Sequence, residues 1–235
     1  MNYNKKVKDE KWNIRTMFGP NLNFAGAEAY KFLRSNLMFS FSEESTCRVI
    51  GVTSSLQGEG KSSTSCNIAY SFAETGASVL LLEADLRRPT MATKLGLSRS
   101  PGLSNLLVAR SQYEDVLQHC SVAPAMHIIT SGDIPPNPAE LLNSNRMAVL
   151  MEQLKQNYDY IIVDLPPVTA VSDTITVAKM TDGVIMVVRE GVADQQELDE
   201  AMRQLDMVGV RKLGFVYRQE NATSKKYKYY AEKKA

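Results

Sequence analysis

Apolar residues along this chain recur with two different spacings, and the two spacings alternate from about residue 48 onwards. Short runs rich in β-branched residues are typical of buried strands and lie at 48–53, 78–85, 126–130, 159–165, 183–188 and 212–217. Apolar positions at helical spacing predict helices at 25–41, 62–74, 103–118, 145–156, 172–179 and 194–208. This alternation of nearly continuous hydrophobic strands with helices predicts an α/β fold: a mostly parallel sheet with helices on both faces.

The predicted sheet lies in one domain, with two segments outside it. Residues 1–24 are polar and then turn-rich, and we expect them to form an N-terminal arm. Residues 25–220 carry the alternating pattern and form the single domain. Residues 221–235 are polar, basic and rich in tyrosine, without a core pattern, which predicts a flexible C-terminal tail.

Composition narrows the class of protein only modestly. The 235 residues are 44% hydrophobic and 23% charged, which suits a globular domain, and the net charge of +1 gives no field that would favour nucleic acid. The three cysteines form no CxxC pair, which indicates a reducing compartment without disulfides or a zinc site. No apolar stretch approaches ~18 residues and the N-terminus is polar, so neither a membrane span nor a signal peptide is expected.

A glycine-punctuated loop joins the first predicted strand to the helix that follows it, in the stretch GVTSSLQGEGKSST (51–64). Successive backbone N–H groups of such a loop wrap around phosphates, Lys61 neutralises them, and the Ser62 hydroxyl binds Mg²⁺. Ser55 stands where the strict pattern has glycine, so a turn that opens an ordinary helix is the alternative. The strand–loop–helix order favours ATP or GTP with Mg²⁺. The expected nucleotide-binding residues are Gln57, Gly58, Glu59, Gly60, Lys61, Ser62 and Ser63.

Acidic residues at two predicted strand ends would complete such a site. Asp164 ends the run DYIIVDLPP (159–167), and a carboxylate there can hold Mg²⁺ directly or through water. Glu83 and Asp85 stand two apart in LLLEADLRRP (80–89), so strand alternation would place both on one face. We expect Ser62, Asp85 and Asp164 at the metal, and Glu83 or Asp85 as the acid that takes a proton. Solvated strand ends and capping of a turn are the alternatives.

Six motifs together resemble those of the bacterial protein-tyrosine kinases (BY-kinases) of capsule and exopolysaccharide synthesis, in their two-chain form. Three are shared with related ATPases: TSSLQGEGKSST, LLEADLRRP and YIIVDLPPV. The others are the helix EAYKFLRSN (28–36), the proline-rich GDIPPNPAELLNS (132–144) and the tyrosine cluster near the C-terminus. The resemblance covers about residues 25–235. The chain departs from the family pattern at Glu83, where aspartate is usual, and at Arg218, where an asparagine that contacts adenine is usual.

The resemblance implies an ATP-dependent autokinase with Mg²⁺ as cofactor, in which Lys61, Glu83 and Asp85 are catalytic. It implies transfer of the γ-phosphoryl group, between subunits, to Tyr227, Tyr229 and Tyr230. Glu28, Lys31 and Arg34 would support a ring-like homo-oligomer, although a solvated helix face explains this stripe equally well. The implied partners are the cytosolic C-terminal segment of a membrane adaptor and a cognate tyrosine phosphatase. The chain would be cytoplasmic, recruited to the inner face of the membrane.

A switch ATPase of the partitioning or septum-placement type, without kinase activity, is the alternative function. Such ATPases often carry an extra lysine early in the loop, whereas residues 53–57 contain none. The septum-placement branch also needs an amphipathic C-terminal helix, and SKKYKYYAEKKA (224–235) has no apolar face. Arg87 and Arg88 are candidates for contacts with phosphate or an acidic acceptor, or for ordinary salt bridges.

Overall fold

The computed structural model describes residues 18–41, 46–170 and 173–219. After a short 3₁₀ turn at Gly19–Asn21, the helices are α1 Phe24–Phe39, α2 Lys61–Ala73, α3 Met91–Leu95, α4 Leu103–Leu107, α5 Tyr113–Val116, α6 Pro138–Leu142, α7 Asn145–Lys155, α8 Asp173–Ala178 and α9 Gln195–Met207. The strands are β1 Arg48–Ser54, β2 Val79–Glu83, β3 Leu117–His119, β4 Met126–Ile129, β5 Tyr160–Asp164, β6 Gly183–Arg189 and β7 Lys212–Arg218.

The strands form one seven-stranded sheet in the order β3-β4-β2-β5-β1-β6-β7. Every neighbouring pair is parallel except β3 with β4. The six predicted strands are therefore confirmed, as is the mostly parallel α/β sheet. Because β1 lies between β5 and β6, the loop after β1 stands at the carboxyl edge of the sheet between two neighbouring strand ends, where ligands bind in such folds.

Two hydrophobic clusters cover opposite faces of the sheet. Val49 belongs to one cluster and its neighbour Ile50 to the other, as the alternation of a strand requires. Helix α2 lies on the second face, where the Phe72 ring stacks on Tyr160 with centroids 3.9 Å apart. Both faces are thus buried under helices, which explains why the central strands read as continuous apolar runs.

The helix predicted over 103–118 is wrong. The chain forms α4, passes through Ala109 with a left-handed φ of 56°, forms α5, and then enters strand β3. Residues 117–119 pair antiparallel with β4 at the sheet edge. An apolar spacing that fits a helix was overridden here by hydrogen bonds from a neighbouring strand, which local sequence does not specify.

Several predictions fall on residues outside the described part of the chain. Residues 1–17 of the expected arm and 220–235, with Tyr227, Tyr229 and Tyr230, are among them. The proposed domain limits therefore stay predictions. Among the described residues, no helix combines the length and apolar character needed to cross a bilayer.

Candidate nucleotide site

The loop between β1 and α2 has the backbone shape that its glycines predict. Gly58 and Gly60 have φ values of 90° and 91°, in a region that side-chain-bearing residues rarely adopt. Glu59 is buried, and its carboxylate accepts hydrogen bonds from the N–H groups of Leu56 (2.8 Å) and Arg189 (3.4 Å). The Glu59 side chain therefore holds the loop in shape and points away from the space above it.

Lys61, the first residue of α2, lies between two carboxylates. Its Nζ is 2.8 Å from Asp85 Oδ2 and 3.7 Å from Asp164 Oδ1. Burial alone would lower the pKa of Lys61, but the charges of Asp164 and Asp85 outweigh it and the pKa is raised. The ammonium group therefore stays protonated, as a group that neutralises phosphate must.

Asp164 ends strand β5 and is fully buried. Its Oδ1 accepts a hydrogen bond from the Ser65 hydroxyl (3.1 Å), and its Oδ2 has no hydrogen-bond partner among the described residues. Burial raises the pKa of this carboxyl, and the charge of Lys61 opposes that rise. A buried carboxylate oxygen without a donor is unusual, and a metal-bound water would satisfy it.

The described residues contain no group of three or more His, Cys, Asp or Glu side chains that could hold a metal ion. Magnesium commonly keeps several waters and binds through one or two carboxylates plus substrate phosphates, and it does not need a cage made of protein ligands alone. A site with two carboxylates and a hydroxyl therefore fits Mg²⁺. The residues present that suit it are Ser62, Asp85 and Asp164.

A cavity of about 1020 Å³ opens above the loop. Six of the seven predicted nucleotide-binding residues line it; the exception is Glu59. Among the described residues, the charged ones that line it are one acid and six cations: Asp85, Lys61, Arg87, Arg88, Lys94, Arg189 and Arg218. A cavity with this excess of positive charge is suited to a polyphosphate.

Sequence reasoning missed Arg189 and Lys94, and it placed Arg218 only by resemblance. Arg218 Nη1 donates to the carbonyl oxygen of Gly60 (3.2 Å), and Arg189 Nη1 donates to that of Gly58 (3.3 Å). Both arginines are the last residues of parallel strands on the same side of β1. The sequence signal that could have identified these arginines is a basic residue at the carboxyl end of a predicted strand, because such strand ends lie at the same edge of the sheet as the loop.

The structure brings Asp85 to the cavity and leaves Glu83 outside its lining. Strand β2 ends at Glu83, so the alternation that would put both acids on one face does not extend to Asp85. The Glu83 carboxylate instead accepts hydrogen bonds from backbone N–H groups of residues 90, 91 and 131. The expectation that strand alternation brings both acids to one face is therefore wrong, while a catalytic role for Glu83 stays a prediction.

The two arginines after Asp85 have different surroundings. Arg87 makes a bidentate pair with buried Asp173, with Nε–Oδ2 and Nη2–Oδ1 distances of 2.7 and 3.1 Å. The salt-bridge interpretation therefore holds for Arg87. Arg88 donates its backbone N–H to Asp85 Oδ1 (3.0 Å), and its side chain hydrogen-bonds Gln57 of the loop.

The charged stripe on α1 is partly solvated and partly used within the subunit. Glu28 and Lys31 form an exposed pair with N–O distance 2.9 Å. The Arg34 guanidinium donates to the backbone oxygen of Ser71 in α2. These contacts do not test a role in self-association, which stays a prediction.

Comparison with known proteins identifies the family of the chain. A family model described as an AAA domain matches residues 47–210. The tyrosine-protein kinase YwqD of Bacillus subtilis is 35% identical over 208 residues, which is 88% of this chain and 87% of the relative. The chain belongs to the bacterial tyrosine-protein kinases.

Structural comparison agrees with this family. The kinase domain of Escherichia coli tyrosine kinase ETK superposes on this kinase with a TM-score of 0.79 at 32% identity, covering 85% of this chain and 78% of the other. The septum site-determining protein MinD of Pyrococcus horikoshii, complexed with Mg-ADP, gives a TM-score of 0.63 at 19% identity, covering 76% of this chain and 72% of the other. At that identity the likeness to MinD concerns the fold alone, so it does not support the switch ATPase.

Proposed function

We propose that this kinase is an ATP-dependent autokinase that phosphorylates Tyr227, Tyr229 and Tyr230 of a neighbouring copy, and thereby regulates capsular or extracellular polysaccharide synthesis. The observation that carries the proposal is the cluster of Lys61, Asp85 and Asp164 at a cationic cavity, in a chain related to tyrosine-protein kinases.

Phosphoryl transfer is catalysed mainly by positioning and by neutralising charge. In the proposed reaction the phenolic oxygen of a tail tyrosine forms a bond to the γ-phosphorus, and the bond from that phosphorus to the ADP leaving oxygen breaks. Asp85 takes the phenolic proton, because it is the acid that lines the cavity within the described part of the chain. Lys61 and the backbone N–H groups of residues 57–63 hold the phosphates. Mg²⁺, when bound through Ser62, Asp85 and Asp164, supplies further positive charge.

Product and partners follow from the tail sequence and from the family resemblance. A phosphotyrosine adds nearly two negative charges to a stretch that carries Lys225, Lys226 and Lys228, so the local charge reverses. We propose that this reversal controls a ring-like homo-oligomer supported by Glu28, Lys31 and Arg34. An adaptor's cytosolic segment would activate the kinase at the membrane, and a cognate phosphatase would reset it.

The test is tail phosphorylation in the purified full chain with ATP, Mg²⁺ and the cytosolic C-terminal segment of the adaptor. Mass spectrometry should find phosphate on at least one of the three tail tyrosines. Lys61→Met should abolish it, whereas Lys179→Met, which removes an exposed lysine from α8's end, should leave it intact. ATP hydrolysis that depends on Lys61, with an unmodified tail, would favour the switch ATPase instead.

The oligomer is tested separately by light scattering. The unphosphorylated chain should form an assembly, and replacement of all three tail tyrosines by phenylalanine should favour it because the charge cannot reverse. A chain that stays monomeric in both forms contradicts the ring but not the kinase.

A further inference from the structure

Glu83 is a fully buried acid whose carboxylate is occupied by backbone donors. Its Oε1 accepts hydrogen bonds from the N–H groups of Thr90 and Met91, both at 2.7 Å. Its Oε2 accepts one from the N–H of Ser131 at 3.0 Å. Three backbone donors stabilise the charged form of a carboxylate, which opposes the rise in the pKa of Glu83 caused mainly by burial.

These donors belong to two segments that approach Glu83 from different parts of the chain. Thr90 and Met91 stand at the beginning of α3, and Ser131 lies in the loop that follows β4. The segment 84–90, which starts immediately after Glu83 and returns to it, carries Asp85, Arg87 and Arg88 of the cavity lining. The Glu83 carboxylate thus links the end of this segment to its beginning, and links the segment to the loop after β4.

A second carboxylate, that of Asp85, makes a hydrogen bond within the same segment. Asp85 Oδ1 accepts the backbone N–H of Arg88 at 3.0 Å, while Asp85 Oδ2 contacts Lys61. The position of Asp85 relative to Lys61 therefore depends on the path of residues 84–91, and that path is fixed at its far end by Glu83.

We propose that Glu83 is a positioning residue, which anchors residues 84–91 and so holds Asp85 and Arg88 at the cavity, and that it is not the base of the reaction. The longer glutamate side chain suits this task because it reaches two amides of one segment and one of another. The inference rests on the proposed kinase activity for its kinetic readout, but not for its structural one.

The primary experiment compares Glu83→Gln with the unaltered kinase in tail phosphorylation across pH. An amide keeps one acceptor oxygen, but its NH₂ group faces a backbone donor and cannot accept from it. We expect kcat to fall by about 10-fold, the size typical of a lost supporting contact behind a functional group. The acidic limb of the pH profile should be unchanged. Loss of that limb together with a fall of about 10³-fold would identify Glu83 as the base and overturn the proposal.

Hydrogen exchange measures the anchor directly. The amides of Thr90, Met91 and Ser131 should exchange faster in Glu83→Gln, with or without kinase activity. Asp182→Asn is the matched control, since Asp182 accepts the N–H of Val49 at 2.7 Å at the opposite end of the strands. It should change neither these three amides nor kcat. Unchanged exchange at all three amides in Glu83→Gln would overturn the proposal.

A double-mutant cycle separates positioning from a general loss of stability. If Glu83 acts through Asp85, Glu83→Gln should lower kcat much less in an Asp85→Asn background than alone. Equal effects in both backgrounds contradict the proposal. If Glu83→Gln does not fold, Glu83→Asp keeps the charge and should show partial exposure of the same amides. An inactive unaltered kinase with faster exchange in the variant would refute the proposed function and leave the anchor supported.

Discussion

Ser65 and Ser71 offer a matched test of how Asp164 is held. Both serines are buried on α2, and each hydroxyl lies within hydrogen-bond distance of a carbonyl earlier in the same helix, at 3.0 and 2.8 Å. Only the Ser65 hydroxyl also reaches a carboxylate, at 3.1 Å from Asp164 Oδ1. Replacing each serine by alanine therefore removes the same atoms, and differs in whether a buried charge loses a donor.

The expected loss of stability depends on whether the hydrogen-bond acceptor is charged or neutral. A hydrogen bond to a charged group contributes about 1.5–3 kcal/mol and one between neutral groups about 0.5–1.5 kcal/mol. Ser65→Ala should therefore lower the free energy of unfolding by about 1–1.5 kcal/mol more than Ser71→Ala. For a chain of this size the melting temperature should be lower by about 2–6 °C relative to the control.

Urea unfolding and thermal melts of the two variants, measured side by side, are the assay. The variant lacking the Ser65 hydroxyl should also bind Mg·ATP more weakly, by about 10-fold, because Asp164, which we propose as a metal ligand, loses a hydrogen bond that orients it. Equal stabilities within about 0.5 kcal/mol, together with equal affinities, would show that Ser65 gives its proton to the helix carbonyl and does not support Asp164.

Two further predictions concern pH and the phosphate loop. Burial lowers the pKa of His127, so the unfolded chain binds a proton at higher pH than the folded chain does, and the stability should fall as the pH drops below about 6.5. In thermal melts, His127→Phe should flatten that fall between about pH 7.5 and 5.5. Parallel curves for the variant and the unaltered kinase would contradict this prediction. Gly60→Ala should cost about 1–2 kcal/mol of backbone strain and weaken ATP binding. The new Cβ of Gly60→Ala would lie 1.5 Å from Arg218 Nη1, so adding Arg218→Ala should relieve the clash but not the backbone strain. Unaltered stability of Gly60→Ala in urea unfolding would refute the predicted strain.

The sequence was sufficient for the parts of this kinase that local chemistry specifies. The central strands β1, β2 and β5 are almost continuously apolar because both of their faces are buried, and this pattern made them predictable. Residue type and spacing predicted that the loop glycines, Lys61 and Asp164 belong to one site, and the structure places them together at one edge of the sheet.

Features that depend on distant parts of the chain could not be predicted. Strand β3 exists because β4 offers it hydrogen bonds, and nothing in residues 117–119 indicates that partner. Glu83 resembled a site acid until its three backbone donors were known, and these come from two other segments. Arg189 and Arg218 join the site only because β6 lies next to β1 and β7 lies next to β6.

The central claim is transfer of phosphate to a tail tyrosine on another copy. The most direct measurement mixes the Lys61→Met chain, whose tail is intact, with a chain that keeps Lys61 but carries phenylalanine in place of all three tail tyrosines. With ATP, Mg²⁺ and the adaptor segment, mass spectrometry should find phosphate on the tail of the Lys61→Met chain in the mixture, and on neither chain alone. ATP hydrolysis in the mixture without any tail phosphotyrosine would contradict the claim.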